Sequence, residues 1–211
     1  MEKLKKEYRR NKLNLITSIV KKYLDDYKVN LDLKIERLVH LLYAYGFNPT
    51  MSCEGHIPPY KSVDTFRLFW PYVKITINNK VKFDLEKQDD IGRICVEAEL
   101  DHNKMLNRLR TLIVEFNLTK HPFWAERLEL DVIVTDGLSG THNPFSVIES
   151  IEKNWVLSVL ICDTGVQGIL TTPQELLSDD LRKSFLGRTQ AQIDLFTKFL
   201  EWNYIENGIE Y

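Results

Sequence analysis

Cysteine is scarce in this chain, and no long apolar run occurs. The three cysteines, Cys53, Cys95 and Cys162, are odd in number and widely spaced, which excludes a disulfide framework. No apolar stretch reaches the roughly 18 residues of a membrane span. The opening, MEKLKKEYRRNK, has neither the apolar core nor the small-residue cleavage site of a secretory signal. Together these absences predict a reduced, cytoplasmic protein that does not engage a membrane. His-Glu-x-x-His, Gly-x-Ser-x-Gly, the phosphate-loop spacing, the Rossmann glycine triad and the kinase signatures are all missing. Internal repeats and low-complexity tracts are missing too. Neither sign of charge dominates, since 28 Lys and Arg stand against 30 Asp and Glu. That balance argues against indiscriminate nucleic-acid binding.

The charge is nevertheless unevenly spread. Residues 1–22 hold eight Lys and Arg against Glu2 and Glu7, a local +6, so the remainder carries −8. A basic helix of this kind can rest on phosphates or on an acidic partner, or be a solvated face. The 211 residues, 44% hydrophobic and 27% charged, fit one domain. A chain of this length buries about 70% of the surface exposed by its unfolded form, enough to fold without a metal or disulfide.

Periodicity outlines the elements. Leu13, Ile16, Ile19, Val20 and Leu24 recur at helical spacing within a first helix over 2–28. Asn30 can cap a second helix lined by Leu31, Ile35, Leu38, Val39 and Leu42, and Gly46 suits its left-handed terminus. Val73, Ile75 and Ile77, then Val81, Phe83 and Leu85 across Asn78-Asn79-Lys80, read as a β-hairpin. GRICVEAEL reads as a further strand, although CVEAEL can also begin a helix, and Asp101 can cap a helix ending near Asn117. RLELDVIVTDG and WVLSVLIC read as strands, and VQGILTT can pair with the latter. Asn143-Pro144 resembles a helix start. Thr172-Pro173-Gln174-Glu175 has capping-box spacing and opens a helical segment to about Tyr204, with Leu195, Phe196, Phe199 and Leu200 inward. The order predicts an α+β domain, 1–211, with a mainly antiparallel sheet covered by helices. Its parts are a helical hairpin over 1–46, mixed sheet and helices over 47–172, and a closing helical segment over 173–205.

One stretch, TMSCEGHIPPY (50–60), concentrates chemistry. Cys53 can act as a nucleophile with His56 lowering its pKa, and these two are the candidate catalytic residues. They can instead supply two zinc ligands, but a structural site needs four, and no second Cys-x-x-Cys, Cys-x-x-His or His-x3-His pair exists. A third use is recognition. Gly55 lets a ligand approach the backbone, while Thr50, Ser52 and His56 offer hydrogen bonds. The remaining reading makes Cys53 a small buried hydrophobe and Gly55 a turn residue. Downstream, Trp70 and Tyr72 can stack a base or line a core, and Arg67 and Lys74 add positive charge.

The run Thr50-x-Ser52-Cys53-x-Gly55-x-Ile57, following a helix that ends in Gly46, resembles the T-x-S-C-x-G-x-I signature of the wybutosine-synthesis tRNA methyltransferases. Five positions match, and His56 stands where that family usually carries arginine. The resemblance implies an S-adenosylmethionine cofactor, an RNA substrate, and Ser52, Cys53 and His56 facing substrate or cofactor. The same Ser-Cys-x-Gly-His motif followed by Trp70-Pro71-Tyr72-Val73 also resembles bacterial proteins of unassigned function.

Two further motifs carry less. Asp163-Thr164-Gly165 resembles an aspartic-protease loop, but it occurs once, late, and among helices. TDGLSGTHNP (135–144) is glycine-rich without phosphate-loop spacing. The sequence therefore supports two functional classes. One is an enzyme on a nucleotide or RNA, with its substrate site formed by Thr50, Ser52, Gly55, Arg67 and Trp70. The other is a non-catalytic interaction module with a structural Cys53 and a basic helix for docking.

Overall fold

A computed structural model describes residues 1–55, 71–76, 91–121, 127–135, 156–163 and 178–209. The order is α1 (Glu2–Asp26), α2 (Leu33–Ala44), β1 (Asn48–Cys53), β2 (Tyr72–Thr76), α3 (Ile91–Lys120), β3 (Leu128–Thr135), β4 (Val156–Asp163) and α4 (Asp179–Asn207). The fold combines helices with an antiparallel sheet, as expected, but helices rather than strands dominate the described residues. The expected mainly antiparallel sheet is present, but it is the smaller part of the described residues.

The sheet runs β1-β2-β4-β3, with every neighbouring pair antiparallel. β1 begins with Asn48-Pro49, and its register with β2 slips between Pro49 and Met51. A proline has no amide to give a ladder, so it suits a strand with only one neighbour. β2 is paired on both sides over Val73–Thr76, with β1 and with β4. The expected hairpin between 73–77 and 81–85 therefore finds no free edge there, and 81–85 lie outside the described residues. The sequence expectations at 136–155 and 164–177, including Asn143-Pro144, VQGILTT and the Thr172 capping box, also fall outside.

Helix boundaries show where local signals fail. Asp32, not Asn30, precedes α2, with an extended backbone whose carbonyl accepts from the amides of Ile35 and Glu36. Gly46 has φ +83°, the left-handed terminus its position called for. GRICVEAEL is helix, not strand, and Asp101 is interior to α3 rather than its cap. Glu97, Ala98, Glu99 and Leu100 are good helix formers and extend the helix N-terminally through Ile94 and Val96. α3 also passes Asn117 and ends at Lys120. The Asn117 side chain then works like a strand backbone: Nδ2 donates to the Leu128 carbonyl and Oδ1 accepts the Leu128 amide, each at 2.9 Å.

The core lies between the helices and one side of the sheet. Val73, Ile75 and Leu128 meet Leu38, Leu42, Phe47 and Leu109. An aromatic cluster joins α3 to α4, with the Phe116 ring 5.2 Å from Phe196 and 5.6 Å from Phe199. On α4, Phe196, Phe199 and Leu200 turn inward as expected, whereas Leu195 is exposed. α4 starts behind Ser178, whose hydroxyl accepts the Leu181 amide, with Asp179 and Asp180 favouring the positive end of its dipole.

α1 packs through Leu13, Thr17 and Leu24. Of the five residues expected on its inner face, Leu13 and Leu24 are buried, Ile16 packs partly buried against the core, and Ile19 is exposed. Arg9 Nη1 donates to the carbonyls of Ile205 and Glu206, satisfying the C-terminal end of α4 with a cation. Lys6 pairs with Glu206 beside it. No helix among the described residues is long and apolar enough to cross a membrane.

Candidate functional site

β1 brings Thr50, Ser52 and Cys53 to one sheet edge, and the chain turns at Glu54 and Gly55. Ser52 is half-buried, and Cys53 and Gly55 are buried. His56, Arg67 and Trp70 lie outside the described residues. The described residues on either side of 56–70 lie together. Cys53 is the cross-strand partner of Tyr72, and Gly55 lies against Pro71.

The turn is held by a cap shared between two distant segments. The Glu54 amide donates to Asp32 Oδ2 at 3.0 Å. In return, the Glu54 carboxylate accepts the Lys34 amide at 3.1 Å. Asp32 makes no side-chain bond to its own helix, so Glu54 takes over the orphan amide at the start of α2. This is the chemistry of a capping box with its two acidic residues 22 positions apart. Two carboxylates near the helix N-terminus are also favoured by its dipole. α4 completes the ring: Gln190 Nε2 donates to the Glu54 carbonyl at 2.9 Å, and Lys34 Nζ donates to Gln190 Oε1 at 2.7 Å. Asp32, Lys34, Glu54 and Gln190 are the residues that sequence reading missed. Glu54 stood at an unspecified position of the motif, and only the Asp32 and Glu54 residue types hinted at capping.

Inside this ring, Cys53 Sγ accepts the Gly55 amide at 3.3 Å. Burial pushes the Cys53 thiol above its ordinary value of 9.0, and the Gly55 amide offsets part of that rise. The carboxylates of Asp32 and Glu54 push it further in the same direction, and Asp32 bonds the protonated thiol. A nucleophilic cysteine needs the opposite environment, a positive one that stabilises thiolate. Tyr72, its strand partner, has its phenol raised by burial, by Cys53 and by Asp32.

Gly55 has φ +83°, and a β-carbon there would stand 2.6 Å from Leu186 Cδ1 and 2.9 Å from the Pro71 nitrogen. The face through which a ligand was expected to approach its backbone is therefore filled by protein. Among the described residues, no group of three or more His, Cys, Asp or Glu is placed to hold zinc or another metal.

Two outcomes follow. Gly55→Ala forces both a strained backbone and an overlap with Leu186, and should cost at least about 2 kcal/mol in urea unfolding. Unchanged stability would mean an open turn. Second, iodoacetamide at pH 8 should modify Cys53 at least about tenfold more slowly in the folded protein than in urea, read by peptide mapping. Equal rates would reveal an accessible thiolate.

Comparison with protein-family models, curated proteins and solved structures finds no match for this chain, so its functional reading rests on the geometry.

Proposed function

We propose that the protein is a non-catalytic interaction module that docks a partner through α1, with Cys53 serving the structure. The observation that carries this reading is a second apolar stripe on α1. Leu4, Tyr8, Leu15, Ile19 and Tyr23 are all exposed, with Leu15 at 61% and Ile19 at 59%. At 100° per residue these five fall within about a quarter to a third of the helix circumference, opposite Leu13, Thr17 and Leu24. A helix of 25 residues is about 37 Å long, so the stripe is long enough to seat another helix. Scattered exposed apolar residues need no explanation, whereas a continuous row rimmed by polar groups marks an interaction face. Lys5 and Lys22 lie at the edges of the row and Lys12 falls within it, between Tyr8 and Leu15, which suits an acidic partner.

A second reading, an enzyme or binding protein for a nucleotide or RNA, is favoured by one observation. Cys53 pairs with Tyr72 and Gly55 meets Pro71, so the described residues that flank 56–70 in sequence come together next to Ser52.

Affinity isolation from the source cells separates the two. Leu15→Asp with Ile19→Asp alters exposed positions and should change stability by no more than about 0.5 kcal/mol each. The docking reading expects that double variant to lose a protein partner which His56→Ala retains. Loss with His56→Ala alone, accompanied by loss of bound RNA or nucleotide, supports the second reading and contradicts the first.

A further inference from the structure

The docking face ends in a built groove. Between the first three turns of α1 and the C-terminal end of α4 lies a cavity of about 410 Å³. Leu4, Tyr8 and Ile209 give it apolar walls, and Tyr204 contributes a buried ring. Arg9 also lines it, but its guanidinium is committed to the carbonyls of Ile205 and Glu206. Gly208 keeps the space between them open, since a β-carbon there would stand 2.9 Å from Arg9 Nε. Lys5 and Lys12 line the same groove, and neither ammonium has a hydrogen-bond or ion-pair partner among the described residues. No carboxylate belongs to the described lining.

The two free ammoniums are seven residues apart, about 10 Å along α1 and on the same side of it. That spacing matches positions i and i+7 of a second helix, which also share a face. The residues between them, i+3 and i+4, would then point into the apolar part of the groove. An extended strand does not match as well, because residues about 10 Å apart along it point to opposite faces.

The geometry points to an acidic amphipathic helix of a partner protein as the occupant, with carboxylates at i and i+7 and a large apolar residue at i+3 or i+4. This inference rests on the docking reading of α1 and names the partner's chemistry. Each exposed ion pair contributes little, at most about 1 kcal/mol. The apolar side chain therefore supplies the anchor, and the lysines supply register and selection against basic partners. Nucleic acid fits less well, because its phosphates would face the apolar wall of Leu4, Tyr8 and Ile209.

The test is selection of a randomised 16-residue peptide display library on the full-length protein. Enriched peptides should carry acidic residues seven apart around a large apolar one. Their affinity should fall at least about tenfold for Lys5→Glu/Lys12→Glu, and less for Lys5→Gln/Lys12→Gln, with urea midpoints confirming that both variants fold. No enrichment, enrichment without acidic preference, or indifference to the lysine variants would overturn the proposal. Peptides that lose binding with Leu15→Asp/Ile19→Asp, but not with the lysine variants, sink the groove and leave the docking helix standing. Peptides indifferent to both sets sink both. A 12-nucleotide single-stranded RNA that binds more tightly than any selected peptide, and depends on the same lysines, would also overturn it.

Discussion

The Glu54 amide donates to Asp32, and the Glu54 carboxylate accepts from the Lys34 amide. This exchange is the constraint on which the rest of the arrangement depends. It fixes the start of α2 to the end of β1, and Gln190 adds α4 to the same point. Hydrogen bonds to charged groups are worth about 1.5–3 kcal/mol each, more than neutral ones. Their geometric effect matters more than the sum. With α2, β1 and α4 joined there, Leu186 is delivered onto Gly55 and Cys53 is closed off from water. Cys53, Glu54 and Gly55 thereby sit where three elements are held together.

The same joint shapes the opposite side of the molecule. α4 is tied near its beginning to Glu54 and near its end to α1, through Arg9 on the last carbonyls and Lys6 on Glu206. Between these ties, Tyr45 donates to the Leu200 carbonyl at 2.8 Å, and Arg37 pairs with Glu201 at 2.6 Å. Among the described residues, α1 is thus held by one face. Its outward row of Leu4, Tyr8, Leu15, Ile19 and Tyr23 is presented on a rigid support rather than on a loose arm. A preformed face binds with less ordering cost than a segment that must fold on contact.

Much of this was legible in the sequence where the signal is local. Alternation located the strand at Leu128–Thr135, a short continuous apolar run the strand at Val156–Asp163, and Gly46 marked the left-handed end of α2. Spacings of three and four found α1 but did not separate its two faces, and Ile19 is exposed while Leu13 and Leu24 are buried. GRICVEAEL was ambiguous because a short apolar run with β-branched residues fits strand and helix alike. The edges of β2 could not be read at all, since its neighbour β4 lies some 80 residues away. The site behaves the same way. Cys53 and Gly55 stand out by type, whereas Asp32, Glu54 and Gln190 matter only because folding brings them together, across as many as 136 positions.

The central claim is that the Cys53-Glu54-Gly55 turn is a closed structural joint and not an open ligand loop. The most direct measurement is native-state hydrogen exchange of the Glu54 amide, resolved by NMR. The account predicts exchange as slow as the core amides of α2, through an opening free energy close to that of global unfolding. Exchange within minutes, at the rate of an unprotected surface loop, would contradict it.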